Sequence, residues 1–136
     1  LATGELLAVK DTPFDFNKRK RIGQDLEADH IQLKNAFGYD HSFVLNGTEN
    51  QLTLEEPVSG RRLIISTTAP VVQVYTGNFL KDGCIGKAGR VYENREGVAL
   101  ETQLMPNAIN TEENPSTILR KGDKFESNTK YVFEIM

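Results

Sequence analysis

The chain has no tryptophan and only one cysteine among its 136 residues. Without tryptophan, any core must come from Val, Leu, Ile, Phe and Tyr, and the 38% hydrophobic content is lean but adequate for one domain. A lone cysteine, Cys84, excludes an internal disulfide and fits a reducing, cytoplasmic setting. It lies in the Gly-rich stretch DGCIGKAG with no histidine at metal-ligand spacing, and reads as an incidental loop thiol. Apolar runs are short as well. None approaches the ~20 residues that cross a bilayer, and nothing has the pattern of a signal peptide. An excess of positive charge is also missing: the net charge is −3, the reverse of what a nucleic-acid surface needs. The one basic run, at 17–21, reads as a solvated loop. Asp, Glu and His do not cluster at ligand spacing, so neither metal nor cofactor is expected.

Turn punctuation is abundant where helical periodicity is scarce. Short β-branched and aromatic runs begin at Phe43, Gln51, Arg61, Val71, Val98 and Lys130, with Gly, Pro and Asn between them. That spacing predicts an all-β chain, an antiparallel β-sandwich or barrel. The runs flanking Pro57-Val-Ser-Gly60 form a hairpin in this reading, with Leu52 and Leu54 on one side. Leu26, His30 and Leu33 recur near helical spacing and predict a helix over 22–35. Residues 112–119 read as a loop before the final strand. DGCIGKAGR lacks the spacing of a phosphate-binding loop and reads as a mobile surface loop.

One carboxylate stands out. In VALETQLMPNAIN (98–110), Glu101 sits in an otherwise uncharged, strand-like run, and period-two alternation puts Glu101 and Gln103 on one face. Charge is seldom placed in such a run unless something pairs with it or uses it. Gln73 interrupts the apolar run Val71 to Tyr75, where a buried amide is hydrogen-bonded whether or not it has a function. Asp40 and His41 are neighbours on a strand, so their side chains point to opposite faces and both cannot easily line one cleft. His41 is therefore read as structural, and His30 as packed or exposed.

TGEL (3–6), TPFDF (12–16), GYDHSFVL (38–45), SGRRL (59–63), TTAPVVQVYTGNF (67–79), LETQLMPNAIN (100–110) and NPSTILRKGD (114–123) together resemble the C-terminal half of the aldose 1-epimerase (galactose mutarotase) family, in order and spacing. The resemblance implies the supersandwich fold, with 1–136 as a partial domain. It also implies interconversion of the α and β anomers of free hexoses such as galactose or glucose. Glu101 matches the family's general base, and partial desolvation in a cleft would strengthen it. Asp40 matches the aspartate that accepts hydrogen bonds from sugar hydroxyls, and Gln73 a glutamine near the base whose amide can both donate and accept.

The family's general acid is a histidine of the N-terminal half, which these segments do not include. The chain opens on Leu-Ala-Thr-Gly-Glu-Leu without an initiator methionine, so it reads as cut from something larger, with the N-terminal half of the same fold as its partner. Alone, it is expected to aggregate or dimerise through exposed apolar faces and strand edges. Asn107, Val74 and Ser42 stand where the family commonly has Asp, an aromatic and Asn, departures that bear on sugar preference. Two alternatives remain open at this level. One is a non-catalytic carbohydrate-binding module that keeps Asp40 and Gln73. The other is a hexose-6-phosphate 1-epimerase-like enzyme, whose phosphate would need Arg61, Arg62 or Arg90.

Overall fold

A computed structural model describes residues 3–81, 85–111 and 117–136. Cys84, and residues 112–116 of the loop expected before the final strand, lie outside the described residues. Among the described residues the regular structure is chiefly strand, six strands in two sheets of three, in agreement with the all-β reading. It divides into two compact units: residues 1–4, 42–72 and 101–136 in the first, residues 5–41 and 73–100 in the second.

Three strands of the first unit pair in the order β2-β3-β6: β2 is Leu52–Glu56, β3 Arg61–Thr67 and β6 Thr129–Ile135. The predicted hairpin is present. β2 and β3 run antiparallel with Leu52 opposite Ile65 and Leu54 opposite Leu63, so the two leucines share a face. Its turn closes because Glu56 accepts the Val58 and Ser59 amides at 2.9 and 2.7 Å, and Gly60 takes φ +73°. β6 covers the other edge of β3, from Arg61 opposite Ile135 to Thr67 opposite Thr129. Ile65, in the middle strand, is fully buried. On the other face Arg62 donates through Nε and Nη2 to Glu134 Oε2 at 2.9 and 2.6 Å, an opposite-charge pair directly across the ladder.

In the second unit the predicted helix over 22–35 is not continuous. A 3₁₀ turn spans Ile22–Gln24, and an α-helix, α1, spans only Ile31–Ala36. Local turn bonds win the intervening residues: the Ala28 amide donates to Asp25 O and the His30 amide to Ala28 O. His30 is then extended and caps α1, its Nδ1 accepting the Gln32 amide at 3.2 Å. The helix ends where Phe37 turns left-handed (φ +57°) and the Gly38 amide returns to Leu33 O at 3.0 Å. Six residues are too few for a helix to persist by propensity alone, so burial of Leu33 holds α1 in place.

The remaining strands, β1 (Asp40–Val44), β4 (Val71–Tyr75) and β5 (Ala99–Gln103), form a sheet in the order β1-β4-β5. Each contributes residues to both units, with the division falling after His41, Val72 and Leu100.

Candidate active site

Asp40 is the first residue of β1, and the residues before it fix where it stands. Gly38 has φ +140°, and a Cβ there would lie 2.3 Å from Asn78 Oδ1, so only glycine lets the chain approach so closely. Tyr39 is fully buried and bound on every side. Its hydroxyl donates to Pro13 O at 2.7 Å, its amide to Thr76 Oγ1 at 3.1 Å, and its carbonyl accepts from the Thr76 amide and Asn78 Nδ2, both at 3.0 Å. Phe14 and Phe16 meet its ring edge-on at 5.4 and 5.3 Å. Burial pushes the Tyr39 phenol up to about 12, with the charge of Asp25 adding to it.

From that anchor Asp40 emerges exposed on β1, and Gln73 of β4 reaches it: Gln73 Nε2 donates to Asp40 Oδ1 at 2.7 Å. Two of the three predicted residues are thereby joined within one unit. A donor on one carboxylate oxygen fixes the plane of the group, so the remaining lone pairs face a defined direction for a hydroxyl-bearing ligand. Gln73 is half-buried rather than buried as its apolar neighbours suggested.

Glu101 belongs to the first unit, on β5, and is exposed. Alternation sets its direction. The next residue, Thr102, is half-buried, its hydroxyl 2.9 Å from that of Thr129, which lies 2.9 Å from Thr67 Oγ1. With Thr102 tethered on one face, Glu101 is presented on the other. Its exposure means that the desolvation expected from its uncharged sequence neighbours is not supplied by this unit.

His41 follows Asp40 but packs inward, its ring edge-on to Phe14 at 4.7 Å. Burial pulls the imidazole below its ordinary range; the charge of Asp40 opposes this and His30 adds to it. Sequence reasoning missed what His30 does, and it missed the Tyr39–Thr76–Asn78 network. The signal was there in GYD followed by TGN at the end of an apolar strand, but only the fold brings the two together.

Two arginines considered for phosphate are engaged elsewhere. Arg62 pairs with Glu134 and lies 3.7 Å from Glu55, while Arg90 Nη1 donates to both carboxylate oxygens of Glu96. The second unit also holds an open recess of about 330 Å³ lined by Phe37, Asn78, Phe79, Asn94 and Arg95, and none of the three predicted residues lines it. Among the described residues no group of three or more His, Cys, Asp or Glu is placed to hold a metal ion, and no helix is long and apolar enough to cross a membrane.

Comparison with known proteins places these residues in context. The family model described as aldose 1-epimerase matches residues 1–132. The galactose mutarotase of Homo sapiens is 37% identical over 138 residues, covering 99% of this chain and 39% of that protein. The aldose 1-epimerase of Escherichia coli is 35% identical, covering 94% of this chain and 38% of its own length. Among solved structures, an aldose epimerase homologue from C. elegans superposes with a TM-score of 0.84 at 30% identity, covering 98% of this chain and 40% of that one. The chain thus spans about two fifths of the length of the relatives it matches.

Proposed function

Because the chain belongs to the aldose 1-epimerase family, we propose that it carries the base and part of the sugar-binding surface of an enzyme interconverting the α and β anomers of free hexoses such as galactose or glucose. The observation that carries this reading is the Gln73–Asp40 bond. It turns an exposed aspartate into an oriented acceptor for sugar hydroxyls, at the positions where the family pattern has its sugar-binding groups.

The chemistry in this reading is proton transfer at a hemiacetal. Glu101 takes the proton from the anomeric hydroxyl at C1 while a general acid protonates the ring oxygen. The bond between C1 and the ring oxygen breaks, leaving an open-chain aldehyde. Rotation about the C1–C2 bond presents the other face of the carbonyl, the ring hydroxyl attacks it, and the two protons return. Each transfer contributes roughly 10²–10⁴-fold. Asp40 and Gln73 hold the ring hydroxyls in a fixed direction through opening and closure. The acid is a histidine of the N-terminal half of the same fold, and the setting is the cytoplasm.

Polarimetry tests this directly. The decay of optical rotation of fresh α-D-galactose is followed with the chain alone, and with the chain plus the N-terminal part of a relative. Acceleration over the spontaneous rate that vanishes with Glu101→Gln is the expected result. Galactose binding without acceleration in either preparation would overturn the catalytic reading in favour of a carbohydrate-binding module.

A further inference from the structure

The Asp40 amide is the first N–H of β1, and its acceptor is a side chain: it donates to Nδ1 of His41 at 3.0 Å. The imidazole folds back along the chain to reach it and is gripped there by Phe14, whose ring also meets His30 at 5.2 Å and Tyr39 at 5.4 Å. An Nδ1 that accepts puts the neutral ring's proton on Nε2. On the same residue as that amide, the Asp40 carboxylate receives Gln73 at 2.7 Å.

We propose that His41 is the positioning residue of this pair: in its neutral form it holds the Asp40 backbone so that the carboxylate meets Gln73 and, on the reading of Asp40 given above, the sugar. Protonation of the ring converts Nδ1 from acceptor to donor and sets two N–H groups against each other. Either the ring leaves Phe14 or the Asp40 backbone moves, and in both cases the carboxylate loses its fixed direction. The charged and titratable groups acting on His41 are Asp40 from its own strand and His30 ahead of α1. Together with burial, the largest influence, they leave the imidazole below its ordinary value of 6.5, so the accepting form prevails at neutral pH. The pair is therefore ordered at neutral pH and released in acid, once the His41 ring takes up its second proton.

The test uses the full chain, ¹⁵N-labelled, as wild type, His41→Phe and His41→Asn. Phenylalanine keeps a ring against Phe14 but accepts nothing, whereas asparagine keeps an acceptor near the Nδ1 position and does not titrate. In wild type the Asp40 amide and the Gln73 side-chain amide should both shift with the His41 titration. In His41→Asn that step should vanish, and in His41→Phe both signals should stay displaced at every pH. Galactose affinity should fall roughly three- to tenfold in His41→Phe, the worth of one neutral hydrogen bond, and stay within about twofold in His41→Asn. Gln73 signals that follow only a carboxylate titration in wild type would overturn the proposal without any variant having to fold. Equal and measurable galactose affinity in wild type and His41→Phe would overturn it too. Gln73 signals that track His41 in a chain that binds no galactose would support the positioning role and remove Asp40 as a sugar ligand.

Discussion

Gln73 and Asp40 lie 33 residues apart in sequence, on strands adjacent in the sheet, and the amide of one donates to the carboxylate of the other at 2.7 Å. The bond gives each side chain a different consequence when removed. Asp40→Asn keeps the shape but loses the charged acceptor, and galactose affinity should fall roughly ten- to a hundredfold, the range of hydrogen bonds to charged groups. Gln73→Leu leaves the carboxylate charged but unoriented, so its loss should be smaller. Titration calorimetry with galactose checks the order, and a larger loss in Gln73→Leu would contradict it.

Glu101 should behave differently from both. Glu101→Gln keeps the exposed strand position and a polar head, so galactose affinity should stay within about threefold while acceleration of mutarotation falls by roughly 10²–10⁴. The readout is polarimetric, in whichever preparation accelerates the reaction. Loss of affinity equal to the loss of rate would make Glu101 a binding group instead of a base.

Gly38 and Gly47 separate close approach from backbone freedom. Both have positive φ, but a Cβ at Gly38 meets Asn78 Oδ1 at 2.3 Å and Thr76 Oγ1 at 3.0 Å, whereas nothing lies within 4 Å of Gly47. Gly47→Ala should cost about 1 kcal/mol from the backbone alone, and Gly38→Ala about 1–3 kcal/mol more through the displaced Tyr39–Thr76–Asn78 network. Thermal melts compare them directly. Equal losses would mean that the network yields without cost.

Tyr39 gives the chain an alkaline limit. Its phenol titrates near 10 when unfolded and is pushed up to about 12 when folded, so the folded chain holds this proton more tightly. The sign follows: the contribution is present in full below pH ~10 and is lost as pH rises from about 10 to about 12. Tyr39→Phe loses the hydrogen bond to Pro13 O, about 1 kcal/mol at neutral pH, but should fall less than wild type across that window. Denaturant unfolding at pH 8 and pH 11 measures both, and parallel falls would refute the assignment to Tyr39.

The outer strand β6 predicts self-association. Tyr131, Phe133 and Ile135 alternate on one face and are exposed, Phe133 by 78%. An apolar row on an edge strand is a template for another copy. Phe133→Lys should shift the chain toward monomer in sedimentation at unchanged secondary structure; a wild-type chain that is already monomeric at high concentration would remove the premise.

Much of this was legible in the sequence because alternation and turn chemistry act locally. The runs starting at Arg61, Val71, Val98 and Lys130 are strands that begin within a residue of those positions, and Pro57 to Gly60 is the hairpin turn. The helix over 22–35 was misread because Leu26, His30 and Leu33 have helical spacing, while the turn bonds at Asp25, Ala28 and His30 that interrupt it leave no periodic trace. Of the candidate site, the residue identities came from the family pattern. The Asp40–Gln73 bond and the grip of Phe14 on His41 depend on segments distant in sequence, which no local pattern records.

The connectivity of β2, β3 and β6 also dictates an order of events as the chain folds. β2 and β3 meet across a four-residue turn, but Thr67 and Thr129, paired in β3 and β6, are 62 residues apart. Closing that larger loop costs about 2 kcal/mol more chain entropy than closing the hairpin. Loop closure therefore favours formation of the hairpin before β6 docks. On the ribosome, β3 waits with one edge open until a strand more than sixty residues downstream has been synthesised.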